Sequence, residues 1–234
     1  MRFFLPLMVL LFIIVGCRDS AGYREDELFL DYQVTGEEGA DQVSVLVQFR
    51  ERNSYGPTVE LRQGAGIELD GNKLDFNKET RNGPIYIASR SLNEFKGSHQ
   101  LIYTDSKGRK WRQDLFFSVF SLSGDSTLNR PIDSAGFVLT IRAEPAFNKI
   151  RVLLTDTSYA GKEIDKTLLV KRNQIHITKN DLKGLKSGPV QLELVAEKHH
   201  ILERKGQANG ALHVAYTLRR EFQWKSPSDS SGRP

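Results

Sequence analysis

Two stretches, LNEFKGSHQLIYTD at residues 92–105 and LKGLKSGPVQLELVA at residues 182–196, follow one plan. Each opens with a leucine and places a second apolar residue three positions on, Phe95 in the first and Leu185 in the second. A lysine and a glycine follow, then Gln-Leu at the head of an alternating run, and one inserted residue aligns the pair. Apolar residues at i and i+3 fit a short helical turn, the glycine allows a sharp reversal, and the period of two fits a half-buried strand.

The same alternation extends outward in both directions, and long helical patterns are missing. Val43 to Phe49 and Ile85 to Ile87 read as strands, and His99 to Tyr103 turns through Thr104–Gly108 into Trp111–Phe120 as a hairpin. In the second half Phe137–Ile141 and Ile150–Leu154 repeat the style. Val190–Val195 then runs into a charged turn and returns as Ala211–Leu218, ending near Phe222 and Trp224. The chain is therefore expected to be all-β.

The repeated stretch resembles the corner between the fifth and sixth strands of immunoglobulin-like sandwiches, where a helical turn crosses between sheets and its apolar pair plugs the sandwich end. That resemblance implies two tandem immunoglobulin-like β-sandwich domains, at residues 27–120 and 132–224. The connector is 121–131, at the start of SLSGDSTLNRPIDSAG, where Gly, Pro and Asp break both periodicities. The likeness reaches the broad architecture alone, because the Cys…Trp…Cys spacing of antibody domains is absent. One continuous sandwich or barrel of about 200 residues is the alternative. The closing residues 225–234, KSPSDSSGRP, lack large apolar side chains and are expected to be disordered.

At the other end stands MRFFLPLMVLLFIIVGCRDS, with a charge at Arg2, an apolar run from Phe3 to Val15, and the chain's one cysteine at Cys17. The charged-then-apolar order is that of an export signal. Thirteen residues of helix span only about 20 Å of a hydrocarbon layer about 30 Å thick, so the run is short for a permanent span. Ile14-Val15-Gly16-Cys17 resembles the lipobox of bacterial lipoproteins. By that resemblance, residues 1–16 are a signal peptide cut between Gly16 and Cys17, and Cys17 carries a diacylglyceryl thioether on a usually acylated amino terminus. Residues 17–26 then form a polar tether. Each buried methylene adds about 0.8 kcal/mol of membrane affinity, so two or three chains hold where one would release. Arg18 stands where an aspartate would resemble an inner-membrane retention signal, which leans the expected location toward the outer membrane of a bacterial envelope. Whether the periplasmic or the surface face is used stays open.

The formal charge of +4 is mild, and loss of residues 1–16 removes one arginine and no acid. Cations are interleaved with acids, and the densest cluster, SKGRKWR at 106–112, has the look of a hairpin turn, so no nucleic-acid partner is expected.

No Gly-x-Ser-x-Gly, His-Glu-x-x-His, Walker or calcium loop is present, so a non-enzymatic protein without catalytic residues is expected. Neither a metal nor another cofactor is called for. His199-His200 lies near Glu197 and Glu203, but neighbouring positions on a strand face opposite ways, which spoils joint ligation. Asp70-Gly71-Asn72 reads as a tight turn. A polysaccharide platform would draw on that turn together with Tyr55, Tyr86 and Trp111, of which only Tyr55 lies in an obvious loop; Phe116, Phe120 and Phe222 read as core. The expected function is a membrane-held module that binds or assembles with another envelope protein. Polysaccharide binding is the alternative, and a hydrolase using His176 or His213 comes third.

Overall fold

The computed structural model describes residues 22–124, 128–133, 136–143, 147–157, 161–204 and 207–226. Cys17, Gly16 and the expected signal peptide lie outside the described residues. So do 227–234 of the tail.

The described chain is all-β, with one 3-10 turn at Glu25–Glu27. Its first half contributes β1 (Leu28–Glu37), β2 (Gln42–Glu51), β3 (Gly66–Leu69), β4 (Asn72–Lys73), β5 (Asp75–Asn77), β6 (Ile85–Ser91), β7 (Gly97–Thr104) and β8 (Lys110–Phe117). These divide into a β1-β2-β6-β5 layer and a β4-β3-β7-β8 sheet. In immunoglobulin lettering this is A, B, E, D against C′, C, F, G. The layers pack face to face, with the rings of Phe49 on β2 and Tyr103 on β7 only 4.9 Å apart. Each fully buried apolar side chain of this kind contributes about 1.5–3 kcal/mol of transfer free energy.

The second half contributes β9 (Phe120–Ser123), β10 (Gly136–Ala143), β11 (Lys149–Asp156), β12 (Glu163–Leu169), β13 (Gln174–Thr178), β14 (Gly188–Arg204) and β15 (Gln207–Trp224). Here β13-β10-β9 faces β12-β11-β14-β15, the same partition without the D strand. Phe137 on β10 meets Phe222 on β15 across the core at 5.2 Å. Both halves are thus immunoglobulin-like sandwiches.

The two corners that begin the quoted stretches behave alike. Phe95 N–H donates to Ser91 O at 2.9 Å in one, Leu185 N–H donates to Leu182 O at 3.2 Å in the other. Phe95, Leu182 and Leu185 are buried. Gly97 (φ 112) and Gly188 (φ 135) then open strands β7 and β14 in backbone conformations that a side chain would strain.

The two sandwiches share a sheet. β15 pairs with β1 in parallel, from Leu30 opposite Gly210 to Glu37 opposite Thr217. This fuses eight strands in the order β12-β11-β14-β15-β1-β2-β6-β5. At the joint Phe117 and Phe120 meet Tyr216 edge-on, and Phe147 meets Phe120 in the same way.

Several expectations are corrected by this geometry. The expected connector at 121–131 begins inside a strand, because Phe120–Ser123 pairs with Thr140–Ala143 of β10. The strand anticipated from Trp111 to Phe120 therefore breaks after Phe117, and Phe120 enters the second sandwich. The tether ends earlier than residue 26, since Glu25 is buried and its carboxylate accepts from Ser106 Oγ at 2.6 Å. The charged turn after Val195 is instead a continuation of β14 and β15 as a long arm. Tail residues Lys225 and Ser226 are tied down, with Lys225 N–H donating to Ile132 O and Ser226 N–H to Ser187 Oγ.

Candidate binding cleft

A cleft of about 630 Å3 opens where the arm of the second sandwich passes β8 of the first. Its construction follows from the strand order. The fused sheet runs past β1 into β15 and β14, whereas the opposing β4-β3-β7-β8 sheet stops at β8. On the arm, His200 lies opposite Leu212 and Lys198 opposite Val214, so these four share the face turned toward β8. Leu212 and Val214 are buried and line the cleft together with Leu115, while Lys198 and His200 are exposed.

Phe116 corrects another expectation. It reads as core, at an alternating strand position in phase with Phe120, yet the inward phase of β8 is that of its neighbours Leu115 and Phe117. Leu115 and Phe117 take the core at 5% and 0% exposure, and Phe116 is left 39% exposed on the cleft wall. The Lys198 ammonium sits over its ring at 5.7 Å, a cation–π contact.

The rest of the wall comes from the β3–β4 turn and β7. Asp70 (φ 50) and Gly71 (φ 79) form the two-residue turn, since both central positions of that hairpin need positive φ. This geometry aims the Asp70 carboxylate at His99 Nδ1, 2.7 Å away, and it also accepts from Gln100 N–H at 2.8 Å. His99 Nε2 lies 3.1 Å from Phe95 O, and the imidazole stacks on the Phe95 ring at 3.8 Å. Both ring nitrogens are thus engaged by oxygens, leaving neither to serve as a general base. Asp114 accepts from Gln100 Nε2 at 2.9 Å.

Other residues singled out from sequence fall elsewhere. Tyr55 is 96% exposed, and among the described residues it makes no ring contact. Tyr86 is buried, with its hydroxyl accepting from Leu61 N–H, and Trp111 stacks on Tyr103 at 5.2 Å. These three aromatics form no common platform.

His199 and His200 occupy opposite faces of β14. His199 turns toward His213, rings 6.5 Å apart, and His213 Nε2 lies 3.3 Å from the Glu197 carboxylate. Arg151 approaches that carboxylate at 3.9 Å but is engaged by Asp165, and those two hydrogen bonds hold the guanidinium above its ordinary range. His176 is exposed on β13, opposite Val138 of β10. Among the described residues no group of three or more His, Cys, Asp or Glu side chains is placed to hold a metal ion. No helix among them is long and apolar enough to cross a membrane.

No protein-family model and no curated protein matches the chain. Among solved structures, the crystal structure of Dpr11 IG1 bound to DIP-gamma IG+IG2 is similar to it at 8% identity and a TM-score of 0.25, covering 82% of this chain and 96% of that chain. DIP-gamma IG1+IG2 is similar at 8% identity and a TM-score of 0.22, covering 81% and 96%. The immunoglobulin-like assignment rests on the strand order and not on these alignments.

Proposed function

We propose that the chain is a bacterial envelope lipoprotein, held to a membrane through acylated Cys17, that binds another envelope protein in the cleft between β8 and the β14–β15 arm. The anchor is supported by the short apolar run ending at the chain's single cysteine. A residue type used once, where acylation needs it, is spent on location. The outer membrane is the proposed site, from Arg18 beside the acylated residue.

The observation that carries the binding role is Phe116. A large aromatic at 39% exposure, with the Lys198 ammonium over its ring, lies in a concave site built from both sandwiches. Aromatic anchors in such sites dominate protein interfaces. The role proposed for the cleft is binding and not catalysis.

The test uses full-length protein expressed in its envelope and recovered from detergent-solubilised membranes. A partner retained by the native chain and lost by Phe116→Asp, at unchanged melting temperature, supports the cleft. Retention by both overturns it. Cys17→Ser separately tests the anchor, with transfer from the membrane to the soluble fraction expected.

A further inference from the structure

Resting on that cleft, we infer that its occupant is an extended, acidic segment of the partner, added as a strand to the free edge of β8 with carboxylates facing Lys198 and His200. β8 ends its sheet, and among the described residues nothing pairs with its outer edge along Lys110–Phe117. The opposing sheet does not end there but continues beneath as β15 and β14. A fifth strand of that sheet, beside β8, would therefore lie over a floor that already exists.

That floor changes character where the sandwich stops. Leu212 and Val214, under β8, are buried, and the next strand presents the exposed Lys198 ammonium and His200 imidazole on the same face. The carboxylates of the cleft are already engaged, Asp70 by His99 and the Gln100 amide, Asp114 by the Gln100 side chain. Lys198 meets only the Phe116 ring, and neither it nor His200 has a carboxylate partner among the described residues. The Lys198 ammonium is thus a cation without a carboxylate beside it, and an acidic strand would supply one. Main-chain pairing supplies affinity in this mode, and alternate side chains supply selection.

The probes are three labelled, end-capped ten-residue peptides. One alternates valine with glutamate, one valine with lysine, and the third is the glutamate peptide N-methylated at every backbone amide, since alternate methylation would leave one edge free to pair. Binding to the full chain in detergent is read by fluorescence anisotropy, and the β8 amides by hydrogen exchange. The glutamate peptide is expected to bind saturably and to protect amides within Lys110–Phe117. The lysine peptide should be at least about tenfold weaker, and Lys198→Glu should reverse that order. The N-methylated peptide should not bind.

Equal binding by the N-methylated or lysine peptide, or no protection of β8, overturns strand addition. If that happens while Phe116→Asp still abolishes partner retention, the cleft stands and only its occupant is wrong. If Phe116→Asp leaves retention intact, the cleft itself falls.

Discussion

The β7–β8 and β14–β15 hairpins hold the same place in their two sandwiches, yet the strands are 8 and 8 residues long in one and 17 and 18 in the other. The short hairpin closes at once, with Asp105 N–H donating to Arg109 O and Gly108 N–H to Asp105 O. The long one leaves its own sandwich. β14 pairs with β11 only over Val190–Val195, and beyond that point β15 pairs instead with β1. A bare strand edge is a liability for aggregation, and the arm covers that of β1. Its cost is a new overhang beside β8, and that overhang is the cleft.

If the joint is what lets the long hairpin differ from the short one, its core should be the most sensitive point. Phe117 is fully buried, packs with Phe95 at 5.5 Å and meets Tyr216 at 6.2 Å. Phe117→Ala is expected to cost about 3–5 kcal/mol in chemical denaturation. Gly36 comes next. It lies opposite Tyr216, and a Cβ there would stand 2.7 Å from Phe117 Cζ and 3.4 Å from Tyr216. Gly36→Ala should cost about 1–3 kcal/mol through overpacking. An equilibrium transition that splits in two in this variant would mean that the sandwiches fold separately once the shared sheet is wedged.

The corners at Leu92–Gly97 and Leu182–Gly188 are legible in sequence because each residue has one task there, plug or reversal. The arm is not. In Glu197-Lys198-His199-His200-Ile201-Leu202-Glu203, polar and apolar residues mix on both faces, since one face meets a cleft and the other meets solvent. Alternation marks a strand only where one face is buried. Phe116 was hidden differently: three apolar residues in a row leave the phase undetermined, and only the opposing sheet decides which two turn inward. Phe120 was misassigned because two residues, Ser118 and Val119, suffice to pass between sandwiches.

The turn of the short hairpin gives a smaller effect with a pH signature. Asp105 is fully buried and accepts from Lys107 N–H at 3.0 Å, Arg109 N–H at 2.8 Å and Arg109 Nε at 2.6 Å. Burial pushes its carboxyl up, but hydrogen bonds from Arg109 and Lys107 outweigh burial and hold it below the ordinary range. A carboxyl depressed in the folded state stabilises fully above its unfolded value, about 3.9, and loses that contribution as pH falls through the folded value. Asp105→Asn should therefore cost about 1–2 kcal/mol at neutral pH, and less under acid, flattening the acid limb of stability against pH.

The smallest effect should come from the ions that line the joint. Arg219 Nε donates to Glu193 at 2.9 Å and also pairs with Glu37, while Arg220 donates to Glu38 at 3.2 Å. These side chains keep 58% and 27% exposure, so solvent and salt screen them. Pairs of this kind give about 0–1 kcal/mol, and a double-mutant cycle of Arg220→Ala with Glu38→Ala should return a coupling no larger. The parallel ladder and the aromatic cluster would then hold the arm, and the ions would only fix its register. A coupling above about 2 kcal/mol would reverse that ranking, because an ion-held arm should loosen with salt and carry the cleft with it.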